Sequence, residues 1–149
     1  MDLRQRIAQD LKEAMKAQDA ERLSAIRMLR AAVLNLEKSG QETISDADVY
    51  GVVRTLVKQR RESVIAFRQA GREEQAVREE REAALLESYL PAALSVGELE
   101  RHVRQAIAEC GAASPKEMGR VIKLLKERLA GQAEMGQVSA MVKTFLSAS

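Results

Sequence analysis

The sequence predicts an all-α protein, an N-terminal helical bundle over 1–92 followed by a small three-helix C-terminal domain over 93–149. Three observations carry that prediction. Apolar residues recur three and four positions apart through nearly the whole chain, the period of one helix face. Aromatic residues make up only 3% and Trp is absent, although 46% of the chain is hydrophobic. A core of Leu, Val, Ile, Ala and Met favours helix-on-helix packing over sheets rich in aromatic and β-branched residues. Finally, helix start and stop signals fall between the periodic segments rather than within them.

The elements follow in order. Leu3, Ile7, Leu11 and Met15 mark a first helix. Leu23, Ile26, Leu29, Val33 and Leu36 mark a second, with Gly40 placed as its stop. Ser45 and Asp48 open a long third helix through Val49, Val53, Leu56 and Phe67, ending near Gly71. The fourth segment, "REEQAVREEREAALLESYL", is dense with opposite charges. Glu74–Arg78 and Arg78–Glu82 stand at i,i+4, so this run reads as a solvated helix face laced by local ion pairs. Pro91 stops it, and "LPAALSVGEL" reads as the linker. Ser95 and Glu98 form a capping-box pattern that opens a fifth helix, striped by Val96, Leu99, Val103, Ala106 and Cys110. A sixth starts at "SPKE", with Ser114 as N-cap, Pro115 at the first helical position and Glu117 completing the box. Its stripe is Met118, Val121, Ile122, Leu125 and Leu129, and that of the seventh is Met135, Val138, Val142 and Phe145. Gly111 and Gly131 separate these last three helices.

Several function classes find no support. Cys110 is the sole cysteine, so no intramolecular disulfide forms, and a cytoplasmic location is expected. Its place on an apolar stripe reads as a buried structural thiol. The N-terminal "MDLRQRIAQDLKEAMK" has no apolar signal core, and no run approaches a membrane span, so no membrane partner is expected. His102 is the only histidine, so no His pair forms, and its place near the edge of an apolar stripe reads as a packing or surface role rather than a catalytic one. Glycine-rich phosphate loops of the GxxxxGK[ST] and GxGxxG kinds are absent. These residues predict a chain with no catalytic centre of its own, no metal and no cofactor.

Binding has better support. Net charge is +2 overall, but from Ala113 onward six basic residues face three acidic ones, leaving +3 there and −1 on the remainder. On the sixth helix Lys116, Arg120 and Lys123 lie opposite the apolar stripe, with Lys126 on the flank. Gly119 projects beside Lys126, where a missing side chain leaves the backbone approachable. A phosphate backbone could use that approach, and so could a neighbouring helix. On the seventh helix Gly136, Ser139, Ala140 and Lys143 share one face, small residues ending in a lysine. Five phosphate contacts, from Lys116, Arg120, Lys123, Lys126 and Lys143, predict a log–log salt slope of about −3 to −5. Secondary basic candidates are Arg27 and Arg30 on the second helix and Arg54, Lys58 and Arg61 on the third. Such bases more often pair with carboxylates like Glu37, Glu62 and Glu73.

Four segments carry a resemblance that covers nearly the whole chain: "RMLRAAVLNLE", "LVKQRRESVIAFRQAGREE", "LESYLPAALSVGELE" and "GAASPKEMGRVIKLLKERLAGQAEMGQVSAMVKTF". Together they resemble the YqeY-like family, which is similar to the tail of the B subunit of glutamyl-/aspartyl-tRNA amidotransferase. In that larger enzyme a helical tail contacts tRNA, whereas the ATP-dependent chemistry belongs to a separate domain. The resemblance implies that Met118, Gly119 and Lys123, with Gly136 and Lys143, belong to a tRNA-facing motif. "MGRVIK" matches the family pattern, while in "AEMGQV" Glu134 stands where an Asp is more usual. It implies a helper that binds tRNA or aminoacyl-tRNA and lacks the large catalytic domain. Two alternatives stay open: a protein-interaction module, or an accessory component of a carbon–nitrogen ligase complex that uses glutamine as amido donor, with an amidotransferase or other protein as partner.

Overall fold

A computed structural model describes residues 2–40 and 43–148. Those residues form seven α-helices and one short 3₁₀ turn, and no strand occurs among them. The helices are α1 (Leu3–Ala17), α2 (Ala20–Lys38), α3 (Asp46–Gln69), α4 (Glu73–Glu87), α5 (Val96–Cys110), α6 (Met118–Leu129) and α7 (Met135–Ser147). The 3₁₀ turn, Pro115–Glu117, runs directly into α6. The chain divides into two compact units, 1–90 and 91–149.

In the first unit, local side chains set where helices begin. The Asp2 carboxylate accepts from the Gln5 N–H at 2.8 Å, and the Gln5 side chain accepts from the Asp2 N–H in return. Ser45 and Asp48 close the same reciprocal box at the start of α3. Each box satisfies donors that no helical carbonyl can reach. Gly71, at φ 75°, turns the chain between α3 and α4, a backbone region that favours glycine. The core is formed by Ile7, Ile26, Leu29, Val49, Val53 and Leu86, among others. Tyr89 seals it: its hydroxyl donates to Asp10 Oδ2 at 2.6 Å, and the Arg6 guanidinium lies 4.7 Å from its ring centroid. Burial, and then the bond to Asp10, push this phenol well above its ordinary range.

The charged run of α4 corrects the sequence reading. Among the described residues neither Glu74–Arg78 nor Arg78–Glu82 closes as an ion pair, and the acidic groups reach across helices instead. Glu79 and Glu82 both meet Arg60 Nη1 of α3 at 2.8 Å. Glu87 meets Arg61 at 2.8 Å, and Glu73 and Glu80 share Arg68. Arg81 reaches Glu21 of α2 at 3.1 Å. Glu82 is only 6% exposed, so part of this run is packed interface rather than solvated face. Two stripe positions differ the other way, with Met15 53% and Val96 59% exposed, because each lies at the edge of its helix's apolar arc.

In the second unit Leu99, Val103, Val121, Leu125, Leu129, Val138, Val142 and Leu146 form the core. The Ser95 hydroxyl caps α5 by accepting from the Glu98 N–H at 3.2 Å. The Leu94 N–H donates to the Gln132 carbonyl at 3.0 Å, tying the entry strap to the α6–α7 connection. Cys110 is half-buried against the core rather than enclosed by it.

Candidate nucleic-acid interface

The start of α6 is built one turn later than its sequence signals suggest. Pro115, Lys116 and Glu117 form the 3₁₀ turn, and α-helical geometry begins at Met118. The Glu117 carboxylate accepts from the backbone N–H groups of Ala113, at 2.5 Å, and Ser114, at 3.3 Å. Those bonds, with Arg120 adding to them, hold its carboxyl below the usual carboxylate range. Gly119 is consequently the second residue of an α-helix, where the backbone is still leaving the turn.

From that start the helix sorts its residues. Val121, Leu125 and Leu129 go into the core. Lys116, Gly119, Arg120, Lys123 and Lys126 all lie exposed, as do Gly136 and Lys143. A Cβ added at Gly119 would meet nothing within 4 Å. This glycine therefore does not make room for another helix of its own chain, and the packing reading is corrected. At Gly136 a Cβ would meet only the mobile end of Glu134, at 3.6 Å, an ordinary contact.

The seven predicted residues do not form a single cluster. The helix α7 packs on α6 and also reaches the 3₁₀ turn at the far end of α6. With a connection as short as 130–134, the two helices run antiparallel. Lys143 therefore lies toward the end that holds Lys116, Gly119 and Arg120, with Lys123 one turn further along. Lys126 and Gly136 fall toward the opposite end, about 10 Å along the axes. The bases also differ in availability. Arg120 bonds Glu117 at 3.4 Å, while Lys116, Lys123 and Lys143 make no ion pair among the described residues. Arg128 is spent on Glu109 of α5, whose carboxyl it holds low.

Sequence reasoning singled out the capping box, the apolar stripe, His102 and Cys110 of α5 but none of its bases. Arg104 projects from that helix over the Phe145 ring, 4.4 Å from its centroid, and Arg101 is exposed beside it in sequence. A basic pair on the exposed side of the fifth helix was the available signal. In the first unit, Arg61 is engaged by Glu87, Arg54 is half-buried, and Lys58, Arg27 and Arg30 are exposed. His102 is half-buried. No group of three or more His, Cys, Asp or Glu among the described residues is placed to hold a metal, and no helix among them is long and apolar enough to cross a membrane.

These features define a class: an all-α chain in two units, the second presenting an exposed, lysine-rich helix pair. The Yqey-like protein family profile matches residues 4–146, and the chain belongs to that family. It is similar to proteins named "Altered inheritance of mitochondria protein 41, mitochondrial". The relative from Pyrenophora tritici-repentis is 27% identical over 128 residues, covering 83% of this chain and 71% of the relative. That from Eremothecium gossypii is 35% identical over 103 residues, 68% of this chain and 56% of the relative. That from Kluyveromyces lactis is 32% identical over 113 residues, 73% and 60% respectively. For the latter two, the chain spans little more than half of the relative's length. The cytoplasmic location expected above is overturned by these comparisons, since the relatives are named as mitochondrial. Cysteine usage reports redox conditions rather than an address, so it could not have separated the two.

Proposed function

We propose that this chain is a tRNA- or aminoacyl-tRNA-binding helper without its own catalytic centre. Its C-terminal three-helix unit is the tail-like domain, and phosphates bind at the end of the α6–α7 pair. One observation carries this reading: Gly119 opens onto empty space near exposed Lys116 and Lys123, which make no ion pair among the described residues. A glycine in a helix costs about 0.5–1 kcal/mol relative to alanine. Here no described neighbour takes up the space, which suits a ligand that approaches from outside. Lysines flanking an approachable backbone suit a phosphate–sugar chain. Lys116, Lys123 and Lys143 are the principal phosphate contacts, Arg120 stays on Glu117 at their edge, and Lys126 and Gly136 extend the face.

The test is binding of purified protein to bulk tRNA across a salt series, beside the Lys123→Glu/Lys143→Glu variant. Affinity that falls with salt, and falls about tenfold or more in the variant, is the expected outcome. A well-folded protein that binds no tRNA, or a variant that binds as well as the parent, overturns the reading. Capture of a defined protein that survives nuclease treatment and is lost in Gly119→Leu would return the surface to a protein partner.

A further inference from the structure

The proposed RNA contacts all lie in the second unit, and the first unit carries a surface of its own. There α1 and α2 run antiparallel. Arg4, near the start of α1, meets Glu37 near the end of α2 at 3.0 Å, and Arg22, near the start of α2, meets Glu13 at 3.7 Å. Between the two helices lies a recess of about 170 Å³ lined by apolar Ile7, Ala8, Val33 and Leu34, with Arg30 beside them. It is smaller than the roughly 300–1,000 Å³ of small-molecule sites, and suits an anchoring side chain instead. The apolar surface continues past it. Arg4 and Ala8 line the recess, and Leu11 and Met15 follow them on the same strip of α1 at helical spacing. Leu34 and Arg30 share a strip of α2 with Arg27 and Leu23 in the same way. Leu11 and Leu23 are half-buried against the core, while Met15 and Leu34 stay 53% and 40% exposed. The result is an apolar trough about 16 Å long, from Arg4 to Met15.

We infer that this α1–α2 groove is the docking site for an amphipathic helix of a partner protein, apolar on one face and bordered by Asp or Glu. The charge on the rim selects that occupant. Glu37, the acid lining the recess, is held by Arg4 and so is not spent on Arg30. Arg27 and Arg30 are exposed one turn apart, and neither closes an ion pair among the described residues. Other acids of these helices are turned elsewhere: Asp10 and Glu13 toward Arg22, and Glu21 toward Arg81 of α4. The groove therefore offers two unspent arginines along the border of an apolar trough. A nucleic-acid backbone would neutralise the arginines but leave the trough wet, whereas an acid-bordered helix covers the trough and meets both charges. About three turns of helix match the length of the trough and set side chains into it at i, i+3 or i+4, and i+7.

The experiment titrates the full chain into a labelled, helix-stapled peptide that carries Leu along one face and Glu on both borders. Fluorescence anisotropy gives the affinity, and amide chemical shifts locate the contact. The peptide should bind in the micromolar range and move the amides of Ala8, Leu11 and Leu34. Arg27→Glu/Arg30→Glu should weaken it about tenfold, and a peptide with Lys in place of Glu should recover binding to that variant. Leu34→Lys, at an exposed position that folding does not depend on, should weaken the first peptide as well. Absence of binding overturns the inference. So does equal binding of a peptide of the same composition with its apolar face scrambled, since attraction would then be net charge alone. Shifts confined to other elements overturn it too. If instead Arg27→Glu/Arg30→Glu lowers tRNA affinity and leaves peptide affinity unchanged, the inference fails and these arginines belong to RNA. The tRNA reading itself is tested at Lys123 and Lys143, so the two stand or fall separately.

Discussion

Ala130 ends α6 at φ 44°, a left-handed conformation in which an L side chain is strained, although Gly131 follows immediately. That conformation costs roughly 1–2 kcal/mol for a residue with a Cβ, and the Ala130 methyl is exposed, so little packing compensates. Ala130→Gly should raise stability by about 0.5–1 kcal/mol after glycine's added chain entropy is subtracted, as read by urea denaturation. Glu134 presents the complementary case. It is the N-cap of α7 and makes no side-chain cap bond, because its extra methylene carries the carboxylate past the N–H that a shorter Asp would meet. Glu134→Asp should stabilise the unit by about 0.5–1 kcal/mol. An unchanged or lowered midpoint in the same denaturation series would show that the α7 terminus is already satisfied.

Between elements, the α3–α4 hairpin is held by more than hydrophobic contact. One nitrogen of Arg60 faces two carboxylates, Glu79 and Glu82, both at 2.8 Å, and Glu82 lies deepest. Burial pushes the Glu82 carboxyl above its ordinary range, with Arg60 opposing. A raised acid has a definite sign in linkage. Its stabilising contribution is complete below the ordinary carboxylate value and is lost as pH rises through the folded-state value. Glu82→Gln, which stays neutral, should therefore gain on the parent as pH rises from about 4 to about 8. A pH-independent difference would mean that Glu82 carries no shifted proton. Arg60→Ala should cost about 3 kcal/mol at neutral pH, since it strands a buried carboxylate, and the double variant Arg60→Ala/Glu82→Gln should recover part of that loss.

At the scale of the whole molecule, the pattern of pairing determines the expected ion dependence. Five basic residues counted along the C-terminal sequence predict a steep salt slope. The structure places Arg120 on Glu117 and sets Lys126 toward the far end of the helix pair. Three phosphate contacts, from Lys116, Lys123 and Lys143, then give a log–log slope of about −2 to −3 for RNA binding. A slope as steep as −5 would show that Arg120 and Lys126 leave their positions on binding. Lys126→Ala should accordingly weaken tRNA binding less than Lys123→Ala does.

Much of the fold was legible in the sequence because helix formation is local. Ser45 and Asp48, Ser95 and Glu98, and the stripe Val121, Leu125, Leu129 act within a turn or two of themselves, so their spacing alone carries the information. The basic residues of the candidate site were legible for the same reason, and all seven proposed residues are exposed. What the sequence could not determine depends on groups distant along the chain. The carboxylates of α4 had suitable partners four residues away, yet they pair with Arg60, Arg61 and Arg68 of α3. Whether Gly119 faced a neighbouring helix or open space was equally undecided, because a helical wheel gives direction but not what stands there. The antiparallel course of α6 and α7 sets Lys143 toward the Gly119 end of α6 and Gly136 toward the Lys126 end, which their shared face on one helix does not reveal. Local chemistry determined the helices of this protein, and only tertiary packing decided which of their charges were spent within the fold and which remained on its surface.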